Sequence, residues 1–192
     1  MGEIFSIIIA AILTDNVVLN HSIGICPFLG VSKKTSSAVG MGLAVTFVIA
    51  ISSVVCWMLY EFVLAPLAIE YLQTIIFILI IACLVQILDI VLKKFAPTLY
   101  NSLGIYLALI TTNCAVLGTA NAVITNGYNL LYTFIYGTSI GLGFMMALVL
   151  MAGIRERQER TIIAKPFRGF AIALVTAGIM ALAFMGLAGM FA

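Results

Sequence analysis

Two cysteines sit four residues ahead of a glycine in otherwise oily text: Cys26 in "GICPFLGVSKK" (Gly24–Lys34) and Cys114 in "TTNCAVLG" (Thr111–Gly118). Both stretches read Cys-x-x-Leu-Gly, and polar or helix-breaking residues stand close by. Thiolates are the usual ligands of iron–sulfur clusters, in sets of four. Placing their charge in an apolar medium requires a metal and backbone N–H donors, which interrupted helices offer at their free N-termini. Two cysteines make half such a site. The competing reading is packing, because a buried free cysteine behaves as a small apolar residue, and residue chemistry alone leaves both open. Cys56 in "VVCWML" and Cys83 in "IACLVQ" lie in unbroken helical text and read as core.

The elements that must position these residues are set by composition. The 192 residues are 64% hydrophobic and 8% charged, whereas a soluble domain carries about 25% charged residues. The chain therefore reads as an all-α integral membrane protein, and its net charge of +2 gives no reason to expect nucleic acid as a partner. Six runs are long enough to cross the bilayer: Ile4 to Ile25, Ala38–Tyr60, Tyr71–Leu92, Ser102–Ile124, Leu130–Ile154 and Phe167–Phe191. The first has Glu3 where a secretory signal carries basic residues, so it reads as a mature span.

All nine basic residues fall in alternate connections or at their edge: Lys33 and Lys34 after span one, Lys93 and Lys94 after span three, and Arg155, Arg157, Arg160, Lys165 and Arg168 after span five or opening span six. The positive-inside rule makes these loops cytoplasmic and both termini external. Glu156 and Glu159 sit within the last cluster, which reads as a self-paired turn. An internal repeat joins the halves, residues 1–98 and 99–192. "TDN" from Thr14 matches "TTN" from Thr111, and "VGMGL" from Val39 matches "IGLGF" from Ile140. With three spans each, the halves cross in opposite senses and form an inverted repeat, whose site is expected near the midplane on interrupted helices.

Helix rise shows why interruptions are needed. At about 1.5 Å per residue, an unbroken first span would carry Cys26 to the inner face, while Cys114 would lie near mid-membrane. A break in span one among Asn20, His21, Ser22 and Gly24, with Pro27 interrupting the ladder, draws Cys26 back toward the centre. Gly104, Gly118 and the Thr111–Asn113 polar run permit a similar interruption in span four.

The stretches around Asn16, "GICPFLGVSKK", "GMGLAVTFV" from Gly40, "LITTNCAVLG" from Leu109, "IRER" from Ile154 and "PFRGFAIALVTAGIMALAFMGL" from Pro166 together resemble the A subunit of the bacterial Rnf complex. That superfamily includes the Rnf E subunit and the D and E subunits of the sodium-pumping NADH:quinone reductase, Nqr. The resemblance implies a multi-pass subunit of the bacterial cytoplasmic (inner) membrane, in a complex coupling ferredoxin:NAD electron transfer to movement of sodium ions or protons. It implies that the A subunit pairs with the E subunit, of opposite topology, around one [2Fe-2S] cluster. Cys26 and Cys114 match this chain's two ligand positions, and the amides of Gly24, Ile25, Ala115 and Val116 become candidate donors to the cluster sulfurs. FMN, NAD, ferredoxin and the other iron–sulfur clusters would belong to the B, C, D and G subunits, as no dinucleotide or phosphate-binding motif occurs here.

For the ion path, Asp15 is a candidate because an intramembrane carboxylate is costly, together with Asn16 and Asn113. A small secondary transporter and a cofactor-free scaffold are the alternative readings, since inverted repeats and broken helices also serve permeases.

Overall fold

The computed structural model describes residues 2–14, 16–32, 34–67, 70–95, 109–110, 112–160 and 169–191. Asp15, Lys33, Lys165, Arg168 and the first part of the fourth apolar run, with Gly104 and Thr111, lie outside the described residues. All regular structure among the described residues is helical. Helix α1 (Gly2–Ile9) passes into a π-helical turn at Ala10–Thr14, and a short α2 (Ile25–Val31) follows. Then come α3 (Thr35–Leu59), continued by a π-helical turn at Tyr60–Leu64, α4 (Gln73–Phe95), α5 (Cys114–Thr125), α6 (Leu130–Glu159) and α7 (Phe170–Phe191).

Among the described residues, three segments are long and apolar enough to cross a membrane: Thr35–Leu64, Gln73–Val91 and Leu130–Glu159. Shorter apolar helices cover Ile4–Thr14, Cys114–Thr125 and Phe170–Gly186. The chain is thus an all-α, multi-pass membrane protein. Its outward faces carry large apolar side chains such as Phe47, Leu79, Ile87 and Leu182, as expected where lipid replaces water. α6 has 30 residues, which at about 1.5 Å each outrun a hydrocarbon core of roughly 30 Å. Its last turns, with Arg155, Glu156 and Arg157, can therefore stand clear of the apolar layer.

α3 and α6 form the central pair. In lipid, helices associate through close packing rather than water exclusion, so small residues at the contact decide it. A Cβ at Gly141 would fall 2.7 Å from Thr46 Cα, one at Gly42 would fall 2.6 Å from Met145 Cγ, and one at Gly137 would fall 3.6 Å from Ala50 Cα. As numbering rises along α3 it falls along α6, so the two run antiparallel. The glycines shared by "VGMGL" and "IGLGF" are not equivalent in use: Gly42, Gly141 and Gly143 lie at close contacts, whereas nothing stands within 4 Å of a Cβ at Gly40.

The first apolar run departs from expectation in where it breaks. Regular helix stops at Thr14, and the chain turns from Asn16 to Gly24. The orphan carbonyls of a helix end need partners, and in an apolar setting they must come from the protein. Asn16 Nδ2 donates to Ile12 O at 3.2 Å, Asn20 Nδ2 donates to Thr14 O, and the Thr14 hydroxyl donates to Ala10 O at 3.1 Å. Pro27 does not interrupt a ladder; it is the third residue of α2, where no intrahelical acceptor awaits its missing N–H. Gly118 lies inside continuous α5 rather than at a break, with Ile23 3.3 Å from where its Cβ would be. Cys56 is fully buried, but Cys83 is exposed, so only the first belongs to the core. Cys83 shares the outward surface of α4 with Leu79 and Ile87.

Candidate functional site

Gly24 occupies the left-handed region, with φ 87° and ψ 21°, and caps the N-terminus of α2. That conformation suits glycine because it lacks a Cβ. A Cβ here would also lie 2.9 Å from Phe144 Cε2 and 3.2 Å from Ala115 Cβ. The close approach brings the two cysteine motifs together: Gly24 N–H donates to Cys114 Sγ at 2.9 Å. Cys26 follows two residues later, so its Cα is within about 7 Å of Gly24 Cα by chain connectivity. Both cysteines are exposed on the single chain, at the N-terminal turns of α2 and α5.

Asn113 builds the other half. Its Oδ1 accepts from Ala115 N–H at 3.0 Å, capping α5, and its carbonyl accepts from Val116 N–H at 3.1 Å. The Ala115 and Val116 amides, candidate sulfur donors by sequence, are therefore engaged within the cap, while Gly24 directs its amide at sulfur. With Oδ1 committed, the free end of the Asn113 amide is Nδ2, a donor. Asn113 is 4% exposed, and Nδ2 has no partner among the described residues. A buried, unpaired donor calls for an acceptor, and a sulfide or thiolate supplies one.

Asn16 makes the same kind of local turn as Asn113: its Oδ1 accepts from Val18 N–H at 3.1 Å, two residues on. Its Nδ2 is also spent, donating to Gly143 O at 2.9 Å. Gly143 leaves no room for a side chain, since a Cβ would lie 3.1 Å from Ala11 O and 3.3 Å from Asn16 Nδ2. Asn16 thus ties the turn to α6. This tertiary role is not visible in the "TDN" motif.

An open cavity of about 580 Å³ lies beside Cys26, with Ile25, Leu29, Arg155 and Phe170 among its walls. Arg155 Nη1 donates to Leu29 O at 2.7 Å and to Ser32 Oγ at 2.9 Å. Glu156 Oε1 accepts from Thr35 N–H at 2.8 Å, so this carboxylate engages the first turn of α3, beyond the self-paired turn expected of its cluster. Sequence reading missed both residues as parts of the site's frame. Their partners are more than 100 positions away, and only the charge of the pair at the end of a span hinted at helix-end contacts. Among the described residues, no three His, Cys, Asp or Glu side chains converge as a metal site.

A family model described as "Rnf-Nqr subunit, membrane protein" matches residues 4–191. The chain is 55% identical over 184 residues to the A subunit of the Na(+)-translocating ferredoxin:NAD(+) oxidoreductase complex of Acetobacterium woodii, with 96% of each chain covered. It is 49% identical over 190 residues to the A subunit of the ion-translocating oxidoreductase complex of Yersinia pseudotuberculosis, covering 99% of this chain and 98% of the relative. The protein of the same description from Serratia proteamaculans is 50% identical over 190 residues, with the same coverage.

Proposed function

The chain belongs to the Rnf-Nqr family of membrane-protein subunits, and from that premise we propose a function for it. It is a membrane-embedded subunit of an ion-translocating oxidoreductase, in which Cys26 and Cys114 hold half of a [2Fe-2S] cluster. The observation that carries this reading is the Gly24 N–H donated to Cys114 Sγ, because it joins the two cysteine motifs from opposite halves of the chain. The donor set suits such a group: two exposed thiols, one backbone N–H aimed at sulfur, and the buried unpaired Nδ2 of Asn113. When bound, the cluster would accept and pass on one electron at a time. The chain's own residues orient the thiols and supply donors that offset the added negative charge.

The remaining cysteine ligands come from a partner of opposite topology, the Rnf E subunit, and the B, C, D and G subunits carry FMN, NAD and the other clusters. We read the two asparagine-capped turns and the antiparallel α3 and α6 as an inverted repeat, with its breaks near the midplane of the bacterial cytoplasmic membrane. The likeness between the Asn16–Val18 and Asn113–Ala115 hydrogen bonds supports this. The basic loops face the cytoplasm and the termini lie outside. Asp15 remains the candidate carboxylate for the ion path. Sealed vesicles carrying the whole complex test the function: with Cys26→Ser or Cys114→Ser, electron flow and ion uptake are lost together, whereas Cys56→Ser and Cys83→Ser retain both. Full ion uptake with Cys26→Ser would overturn it.

A further inference from the structure

We propose that Arg155 and Glu156 are positioning residues for Cys26, a role that rests on the cluster reading and adds two residues from the far half of the chain. α2 has seven residues and no side-chain cap at its N-terminus. Isolated helices shorter than about 12 residues are marginal, so α2 holds Cys26 in place only where other parts of the molecule fix it. Arg155 does this at the C-terminal end, donating to the Leu29 carbonyl and the Ser32 hydroxyl. Leu29 is three residues beyond Cys26, only about 4.5 Å along the helix axis. The guanidinium shares the wall of one cavity with Cys26.

The neighbouring residue completes the clamp. α3 also lacks a side-chain cap from its own N-cap residue, Lys34, and Glu156 takes its first amide. A cation thus stands at the C-terminal end of α2 and an anion at the N-terminal end of α3, each matching the partial charge of that helix end. The same helix, α6, also offers Gly143 O to Asn16 and packs Phe144 against Gly24. The stretch from Asn16 to Thr35 is therefore fixed on α6 at several points, with Phe144 at the N-terminal side of Cys26 and Arg155 at its C-terminal side.

The test uses the whole complex in a Cys83→Ser background, with Arg155→Gln and, separately, Ser32→Ala. Maleimide alkylation of Cys26, Cys114 and Cys56 is followed in iron-depleted complex, and the EPR spectrum is recorded in loaded complex. Cys26 alkylation should accelerate about tenfold in Arg155→Gln, the scale of losing one hydrogen bond to a charged group, with a smaller rise in Ser32→Ala. Cys114 should keep its rate, Cys56 should stay protected, and the loaded variants should show altered g-values. Unchanged Cys26 alkylation, or equal acceleration of Cys26 and Cys114 with Cys56 protected, would overturn the proposal. If Cys56 becomes reactive in Arg155→Gln, that variant has unfolded and Ser32→Ala decides by the same criteria. A wild-type complex that binds no iron would remove the cluster reading, while the alkylation comparison would still decide whether Arg155 positions Cys26.

Discussion

Replacing Asn113 by serine separates the two ends of its amide. Serine retains an oxygen able to cap the Ala115 amide but lacks the unpaired Nδ2 donor that the proposed cluster would engage. A donor stabilises the reduced, more negative cluster, so its loss lowers the midpoint potential. The shift should be about 40 mV, taking ~1 kcal/mol for the lost bond, and a redox titration of the complex followed by EPR measures it. Gly24→Ala should act more severely. It forces a side chain into the left-handed region at a cost of about 1–2 kcal/mol and drives its Cβ against Phe144 and Ala115. The expected result is less iron per assembled complex. At this scale the repeated "Cys-x-x-Leu-Gly" text singled out the two cysteines, whereas Asn113 was expected only in an ion path and its cap geometry was not readable. The particular amide aimed at sulfur was not. Ala115 and Val116 flank Cys114 as closely as Gly24 flanks Cys26, and only the cap geometry shows that their N–H groups are engaged.

Helix elements place these residues through contacts that hydropathy does not encode. The apolar runs marked the spans because length and composition suffice for that, but the stop at Thr14 falls where Asn16 meets the Gly143 carbonyl on α6. The sequence offered Asn20, His21, Ser22 and Gly24, with Pro27, as breakers. The turn from Asn16 to Gly24 contains the first four but begins earlier, where the Asn16 and Asn20 side-chain amides replace the lost ladder. The α3–α6 contact gives a sharp comparison. Gly141→Ala should destabilise by about 1–3 kcal/mol through overpacking, since Thr46 Cα stands 2.7 Å from the new atom. Gly153→Ala, with nothing within 4 Å, should be neutral or raise stability by up to about 1 kcal/mol through helix propensity. Thermal inactivation of the detergent-solubilised complex distinguishes them, and equal midpoints would contradict this account of the helix contact.

Across the whole molecule, charge and packing agree on which loops lie together. The bonds from Arg155 to α2 and from Glu156 to α3 put the α2–α3 turn, with Lys34, at the same end as the C-terminus of α6. In the proposed topology, that end faces the cytoplasm. Lys34→Cys and Arg160→Cys should therefore react with a membrane-impermeant thiol reagent in inverted vesicles and resist it in intact cells; the reverse pattern would invert the topology. In the proposed cluster the partner's half was legible only as a deficit, because two cysteines are half of a four-thiolate set.

The most direct measurement is the iron and acid-labile sulfide content of this chain paired with its opposite-topology partner, with low-temperature EPR of the reduced pair. A [2Fe-2S] signal should be present in wild type, Cys56→Ser and Cys83→Ser, and absent in Cys26→Ser and Cys114→Ser. An assembled wild-type pair holding no iron, or a cluster signal that survives both Cys26→Ser and Cys114→Ser, would contradict the relay.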